Sequence, residues 1–151
     1  MLLLNPFDPK TVLLAKHAQH VVLIHFPVAL FVSGVMFGWF GQWKARRGLL
    51  DAGYYNLLLA AASTIPTTVS GLLAWQFQLE GQPLKGTLLL HLIFACVSVA
   101  LIWRVWWLRR AARNTGAHPS VALIALEGAA LGVVVVTAHL CGFLSGVNAP
   151  S

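Results

Sequence analysis

The sequence predicts an all-α membrane protein: a four-helix up-down antiparallel transmembrane bundle with a short N-terminal amphipathic segment. The chain of 151 residues is 58% hydrophobic and 9% charged, whereas charged residues make up about 25% of a soluble domain. Four apolar runs reach the ~20 residues that a helix needs to cross the hydrocarbon core. The connections between these runs are short, which makes consecutive helices antiparallel neighbours.

The first predicted element is the amphipathic segment, residues 10–19, which we expect to lie on the membrane surface. Pro9 precedes this segment and suits the first turn of a helix. The opening Met-Leu-Leu-Leu is too short for the apolar core of a signal peptide and meets Asn5, Pro6 and Asp8, so we expect no cleaved leader.

The four spans are predicted at residues 21–41, 54–79, 87–108 and 121–147. Each should be a helix because unpaired backbone groups are too costly in lipid. Pro27 lies in the first span and Pro66 in the second, and we expect each to kink its helix. A single transmembrane domain is therefore predicted over the whole chain, residues 1–151.

The basic residues are distributed unevenly between the two ends of the bundle. The net charge is +6 and the chain has ten lysines and arginines; most of them flank the first and third loops between spans. By the positive-inside rule these two loops are cytoplasmic, and both termini and the second loop face outward. We interpret this pattern as a topology signal and expect no nucleic-acid partner. The residues concerned are Lys44, Arg46, Arg47, Arg104, Arg109, Arg110 and Arg113.

Histidines cluster near the outward end. In an up-down bundle the starts of the first and third spans meet the end of the fourth, which brings His25, His91 and His139 to a common depth of roughly 6–12 Å. His20 lies about a turn and a half above His25. Because an ionisable residue within a span is costly and by default functional, these four residues are the predicted cofactor-binding set.

Small residues follow two of these histidines along the helix. Ala95 and Ser98 share a stripe with His91, and Gly132 and Gly128 share one with His139. This pattern indicates that both imidazoles face the bundle interior. A small-residue face permits either close helix packing or a flat cofactor between helices.

Two other groups within the spans need an explanation. Cys96 and Cys141 form no C-x-x-C pair, and we predict buried, inert thiols in preference to a disulfide or a metal role. Glu127 lies in the inner third of the fourth span, where an unpaired charge costs ~2.5 kcal/mol or more. It is either protonated or paired with Arg104, and we favour a structural ion pair.

Three chemistries are open to the histidine layer. His25 and His91 suit the axial ligands of haem b iron, with His139 as a competing ligand and His20 available for a second, shallower haem. Three imidazoles also suit a copper or zinc ion. The third alternative is a purely structural role, with each histidine donating to a backbone carbonyl. The sequence contains no hydrolytic or phosphate-binding motif, so we do not expect an enzyme acting by itself.

Three short motifs and a glycine-rich fourth span indicate a family. The motifs are His-x4-His-Phe-Pro-Val-Ala at 20–29, Gly-Leu-Leu-Ala-Trp at 71–75 and Leu-His-Leu at 90–92. With them, the chain from His20 to Val147 resembles the bacterial four-helix membrane proteins of domain-of-unknown-function family 2231.

The chain also departs from the pattern that this resemblance implies. Val21, Ala74 and Ala95 stand where the family pattern has a proline, an aspartate and an asparagine, and His139 stands where a small residue is expected. Loss of an acid and an amide together with gain of an imidazole favours cofactor binding over proton handling.

These observations predict a haem b-binding, cytochrome b-like subunit of an electron-transfer complex in the bacterial inner membrane. It would exchange electrons near the periplasmic face, between a quinone or neighbouring cofactor and a periplasmic redox partner. The alternatives are a cofactor-free structural or assembly subunit of a membrane complex, and a copper- or zinc-binding membrane subunit.

Overall fold

The structure, a computed structural model, describes residues 16–145, apart from the side chains of residues 16–18 and 78. These residues form four helices: α1 (Lys16–Trp43), α2 (Arg47–Gln78), α3 (Gly86–Thr115) and α4 (Val121–Leu144). All four are long and apolar enough to cross a membrane. The predicted all-α, four-span fold class is confirmed, and the described part of the chain contains no strand.

Helices α1, α2 and α3 are longer than the apolar runs that predicted them, whereas α4 ends at Leu144, before the predicted residue 147. Helix α2 starts seven residues before the predicted span, and α3 continues seven residues beyond its predicted end. A helix that has left the hydrocarbon no longer needs apolar residues, and Ala and Arg are good helix formers. Of the predicted amphipathic segment, residues 16–19 form the first turn of α1. Residues 10–15, and the N-terminal stretch expected not to be a leader, lie outside the described residues.

Helix α1 packs most extensively against α2, and glycines permit the close approach. Gly34 and Gly38 lie one turn apart on α1, in the small-x-x-x-small spacing typical of membrane helix contacts. A Cβ atom on Gly53 of α2 would lie 2.8 Å from the backbone nitrogen of Gly38 and 2.9 Å from the carbonyl oxygen of Gly34. The two backbones therefore touch at a point where only glycine fits.

The core lies midway along the bundle, and all four helices contribute to it. Pro27 and Pro66 lie within α1 and α2 without ending either helix. The buried core residues are Phe31, Val35, Leu57, Ala60, Ala61, Ile102, Val105, Trp106, Ala130 and Val134.

Glu127 is completely buried and forms an ion pair with Arg109. Arg109 Nη2 donates to Glu127 Oε2 at 2.8 Å, Arg109 Nε donates to Oε1, and Trp39 Nε1 donates to Oε2 at 2.7 Å. The predicted ion pair is thus confirmed, but the predicted partner Arg104 is wrong. Arg104 precedes Arg109 by five residues, which rotates its side chain roughly 140° around α3, and it is exposed.

Candidate metal centre

Three potential metal ligands converge near the end of the bundle where α2 connects to α3. One ligand atom each from His20, His91 and Cys141 lies within 4.8 Å of the other two. His20 is on the second turn of α1, His91 on the second turn of α3, and Cys141 three residues before the end of α4. Up-down threading brings these three positions to one level.

Helix α2 orients the imidazole of His20. His20 Nδ1 lies 2.9 Å from Ser70 Oγ, while Ser70 Oγ donates its only proton to the carbonyl oxygen of Thr67 at 2.8 Å. Ser70 must therefore accept from Nδ1–H, and this tautomer puts the lone pair of His20 on Nε2. Histidines that bind metals are commonly held in this way, with one ring nitrogen hydrogen-bonded and the other turned to the ion.

Gly71 provides the space for the same ring. A Cβ atom at this position would lie 2.9 Å from His20 Cε1 and 3.4 Å from His20 Nδ1. Any side chain on Gly71 would therefore push the imidazole away from its present position. This contact gives a physical reason for the glycine that opens the Gly-Leu-Leu-Ala-Trp motif.

His91 has a nitrogen that the described part of the protein does not satisfy. Its Nδ1 is buried and has no hydrogen-bond partner among the described residues. Such an orphaned polar atom costs about 1–3 kcal/mol. About two turns further along α3, Ser98 is buried and hydrogen-bonded to Thr137 Oγ1 of α4 at 2.8 Å. The His91 stripe therefore faces the bundle interior, as predicted.

Cys141 is a buried free thiol on α4. It also lines a cavity of about 190 Å³ between α1 and α4, together with Val21, Ile24 and His25. Both cysteines were predicted to be buried. The prediction is confirmed for Cys141 and wrong for Cys96, which is exposed.

Two of the predicted ligands lie outside this group. His25 is exposed, and its Nδ1 donates to the carbonyl oxygen of Val21, one turn earlier in α1, at 2.6 Å. His139 is also exposed, and its ring contacts Phe143 edge-on with centroids 5.0 Å apart. The predicted inward orientation of His139 is therefore wrong, whereas His20 and His91 do come together.

The buried stripe of α4 explains the orientation of His139. Leu123, Glu127, Ala130, Val134 and Cys141 are buried, at the spacings of three, four and seven residues that keep residues on one helix face. His139 precedes Cys141 by two residues and so lies roughly 200° around the helix from it. The spacing from Glu127 is the sequence signal that could have identified Cys141. Gly128 and Gly132, which share a stripe with His139, do not mark a face that packs against another helix, since a Cβ on either would meet nothing within 4 Å.

The fold and this site define a four-helix integral membrane protein with a group of potential metal ligands near one end. The chain belongs to domain-of-unknown-function family 2231, described as a predicted membrane protein, whose sequence pattern matches residues 16–147. The resemblance seen in the motifs is thereby confirmed. No curated protein and no solved structure matches the chain.

Proposed function

We propose that this protein is a membrane subunit that binds a copper ion at His20, His91 and Cys141 and exchanges electrons there. The observation that carries the proposal is the donor set: two imidazoles and one thiol, each from a different helix, within 4.8 Å of one another. Two histidines and one cysteine in trigonal arrangement are typical of copper electron-transfer sites.

The distances suit a single ion. Imidazole nitrogens and thiolate sulfurs lie ~2.0–2.3 Å from such a metal, so two ligands of one ion are at most about 4.6 Å apart. Small side-chain rotations would bring the three atoms into this range. His91, whose Nδ1 has no partner among the described residues, would supply one imidazole nitrogen, and Cys141 would release its proton on binding.

Burial in a membrane favours copper over zinc in this donor set. A Cu⁺ ion, two neutral imidazoles and one thiolate sum to zero charge, whereas Zn²⁺ with the same ligands leaves a charge of +1. Uncompensated charge is costly in a low-dielectric environment. The low-dielectric environment also stabilises Cu⁺ relative to Cu²⁺ in this site. The reduction potential of the bound copper would therefore be raised.

The site would act by one-electron transfer. Held by His20, His91 and Cys141, a copper ion would supply one-electron transfer between a neighbouring reduced cofactor and an oxidised partner protein. The cavity beside Cys141 and His25 provides the approach to the metal from the α1–α4 side. By the positive-inside rule this end lies at the outer face of a bacterial inner membrane, where a periplasmic redox partner of a larger complex would dock.

Haem b is the second candidate, because His20 and His91 come from different helices, as the axial ligands of membrane haems do. The position of Cys141 favours the bare ion instead. A third ligand atom within 4.8 Å of both imidazoles would lie beside the iron, where the porphyrin must be. The haem ligation by His25 and His91 expected from the sequence stays a prediction.

Spectroscopy of the copper-loaded full chain in detergent tests the proposal. We expect one bound copper per chain and, after oxidation, an intense thiolate-to-copper charge-transfer band with the electron paramagnetic resonance signal of Cu²⁺. Cys141→Ser should abolish the band. The matched control Cys96→Ser, at the exposed cysteine, should retain it.

Three results would overturn the copper assignment. A Soret band in the protein as isolated would establish haem instead. Zinc bound in a one-to-one ratio, with copper unable to displace it, would make the site structural. A chain that binds neither metal nor haem, yet keeps its helix content in His91→Ala, would be a cofactor-free accessory subunit.

A further inference from the structure

We propose that an anionic phospholipid binds between α3 and α4 at the end of the bundle opposite the metal centre, with its phosphate against Arg104. A cavity of about 630 Å³ lies there, within the ~300–1,000 Å³ range of ligand pockets. The inference is independent of the proposed copper site. It depends on an unsatisfied cation, a second basic side chain and an apolar wall.

Arg104 is a cation without a counter-charge in the described part of the protein. Arg109 pairs with Glu127 and Arg113 with Asp51. No carboxylate among the described residues forms an ion pair with Arg104. Arg104 also lies four residues before residue 108, where the predicted third span ends, so it is roughly 6 Å inside the hydrocarbon. An arginine at this depth needs an anionic partner or a path to the headgroup region.

The lining of the cavity matches a phospholipid. His118, from the loop between α3 and α4, stands with Arg104 on its polar side. Leu108, Leu123 and Leu126 form an apolar wall along which the upper part of an acyl chain would lie. Basic pockets between membrane helices are typical sites for anionic headgroups.

The start of α4 adds a favourable field. The cavity includes Ser120, whose Oγ caps the helix by accepting from the backbone nitrogen of Leu123 at 3.2 Å. A helix N-terminus attracts anions through its free amide groups. The apolar wall favours a lipid over a free phosphate ion, because a soluble anion would leave the three leucines without a partner.

Binding of phospholipid to the purified protein tests the proposed site. The delipidated full chain would be titrated in detergent with phosphatidylglycerol or phosphatidylcholine, and bound lipid counted by native mass spectrometry. We expect phosphatidylglycerol to bind in preference. Arg104→Gln should weaken its binding by about tenfold or more, the effect of losing a hydrogen bond to a charged group.

Arg110→Gln is the matched control. Arg110 lies on the same helix, but its guanidinium faces the ring of Trp106, at 5.5 Å, so this variant should retain lipid like the unmodified chain. The proposal is overturned if Arg104→Gln and Arg110→Gln bind phosphatidylglycerol equally. It is also overturned if phosphatidylcholine binds as tightly as phosphatidylglycerol, or if inorganic phosphate binds and phosphatidylglycerol does not.

If Arg104→Gln does not fold, His118→Gln decides the question. His118 is in a loop and exposed, so its substitution leaves the helices intact. Weaker binding of phosphatidylglycerol supports the site, and unchanged binding rejects it.

Discussion

The direction in which a residue points around its helix decides whether it reaches the metal centre. His20 and His25 are five residues apart and therefore roughly 140° apart around α1, and His20 is the one that joins His91. On α4, His139 and Cys141 are only two residues apart in depth but roughly 200° apart around the helix. Depth follows from counting residues from the span end, whereas direction depends on which stripe the neighbouring helices cover. His20 and His91 thus meet at the predicted level, whereas His25 and His139 are exposed; cofactor binding by any of the four stays a prediction.

Two further features of the site also depend on tertiary contacts. Ser70 and Gly71 were not predicted to bear on the site, because their effect requires that α2 lies against the start of α1. The motif containing Gly71 was recognisable, but only the position of the His20 ring explains the glycine.

At the residue scale, Gly71→Ala should weaken metal binding without removing a ligand. The added Cβ would lie 2.9 Å from His20 Cε1, so the ring must rotate and Nδ1 would lose its alignment with Ser70. Loss of such supporting contacts typically lowers metal affinity by ~10–100-fold. Competition with a chromophoric Cu⁺ chelator would measure the change.

Gly128→Ala provides the control for this substitution, since a Cβ on that glycine meets nothing within 4 Å. It should leave the copper affinity as it is. Equal affinities in Gly71→Ala and Gly128→Ala would show that the position of the His20 ring does not matter for binding.

At the scale of helices, the apolar runs predicted all four elements, but not how the elements contact each other. The Gly34 and Gly38 contact with Gly53 makes α1 and α2 a close pair. Elsewhere a polar group joins the helices: Glu127 on α4 accepts from Trp39 on α1 and Arg109 on α3. Its partner could not be predicted from depth, because Arg104 and Arg109 differ mainly in direction around α3.

We expect Glu127→Gln to destabilise the bundle strongly. The Arg109 side chain is only 10% exposed, and removing the carboxylate leaves its charge without compensation. Breaking a buried pair in this way typically costs about 3–5 kcal/mol. Thermal or denaturant unfolding in detergent, followed by circular dichroism, would measure the loss.

The second ion pair of the described chain provides the comparison. The side chains of Arg113 and Asp51 are 43% and 50% exposed, so Asp51→Asn should cost about 1 kcal/mol or less. A similar, small effect of both substitutions would mean that water or detergent reaches Glu127, and that the pair does not hold the three helices together.

At the scale of the whole molecule, the two ends of the bundle carry different chemistry. One end holds the group of His20, His91 and Cys141. The other holds the buried ion pair and the cavity at Arg104, together with most of the basic residues. Antiparallel threading produces this division, because every second loop returns to the same end. Which end faces the cytoplasm therefore decides which partners each site can meet.

The orientation is testable with reporter fusions. Because the basic residues cluster at the α1–α2 and α3–α4 loops, we expect those loops in the cytoplasm and the metal-centre end outside. Alkaline phosphatase, which is active only after export, should be active when fused after Ser151 or inserted in the α2–α3 loop at Gln82. It should be inactive when inserted at Gly116 in the α3–α4 loop. The reverse pattern would place the proposed copper site at the cytoplasmic face, where a periplasmic partner could not reach it and the anionic lipid site would face the outer leaflet.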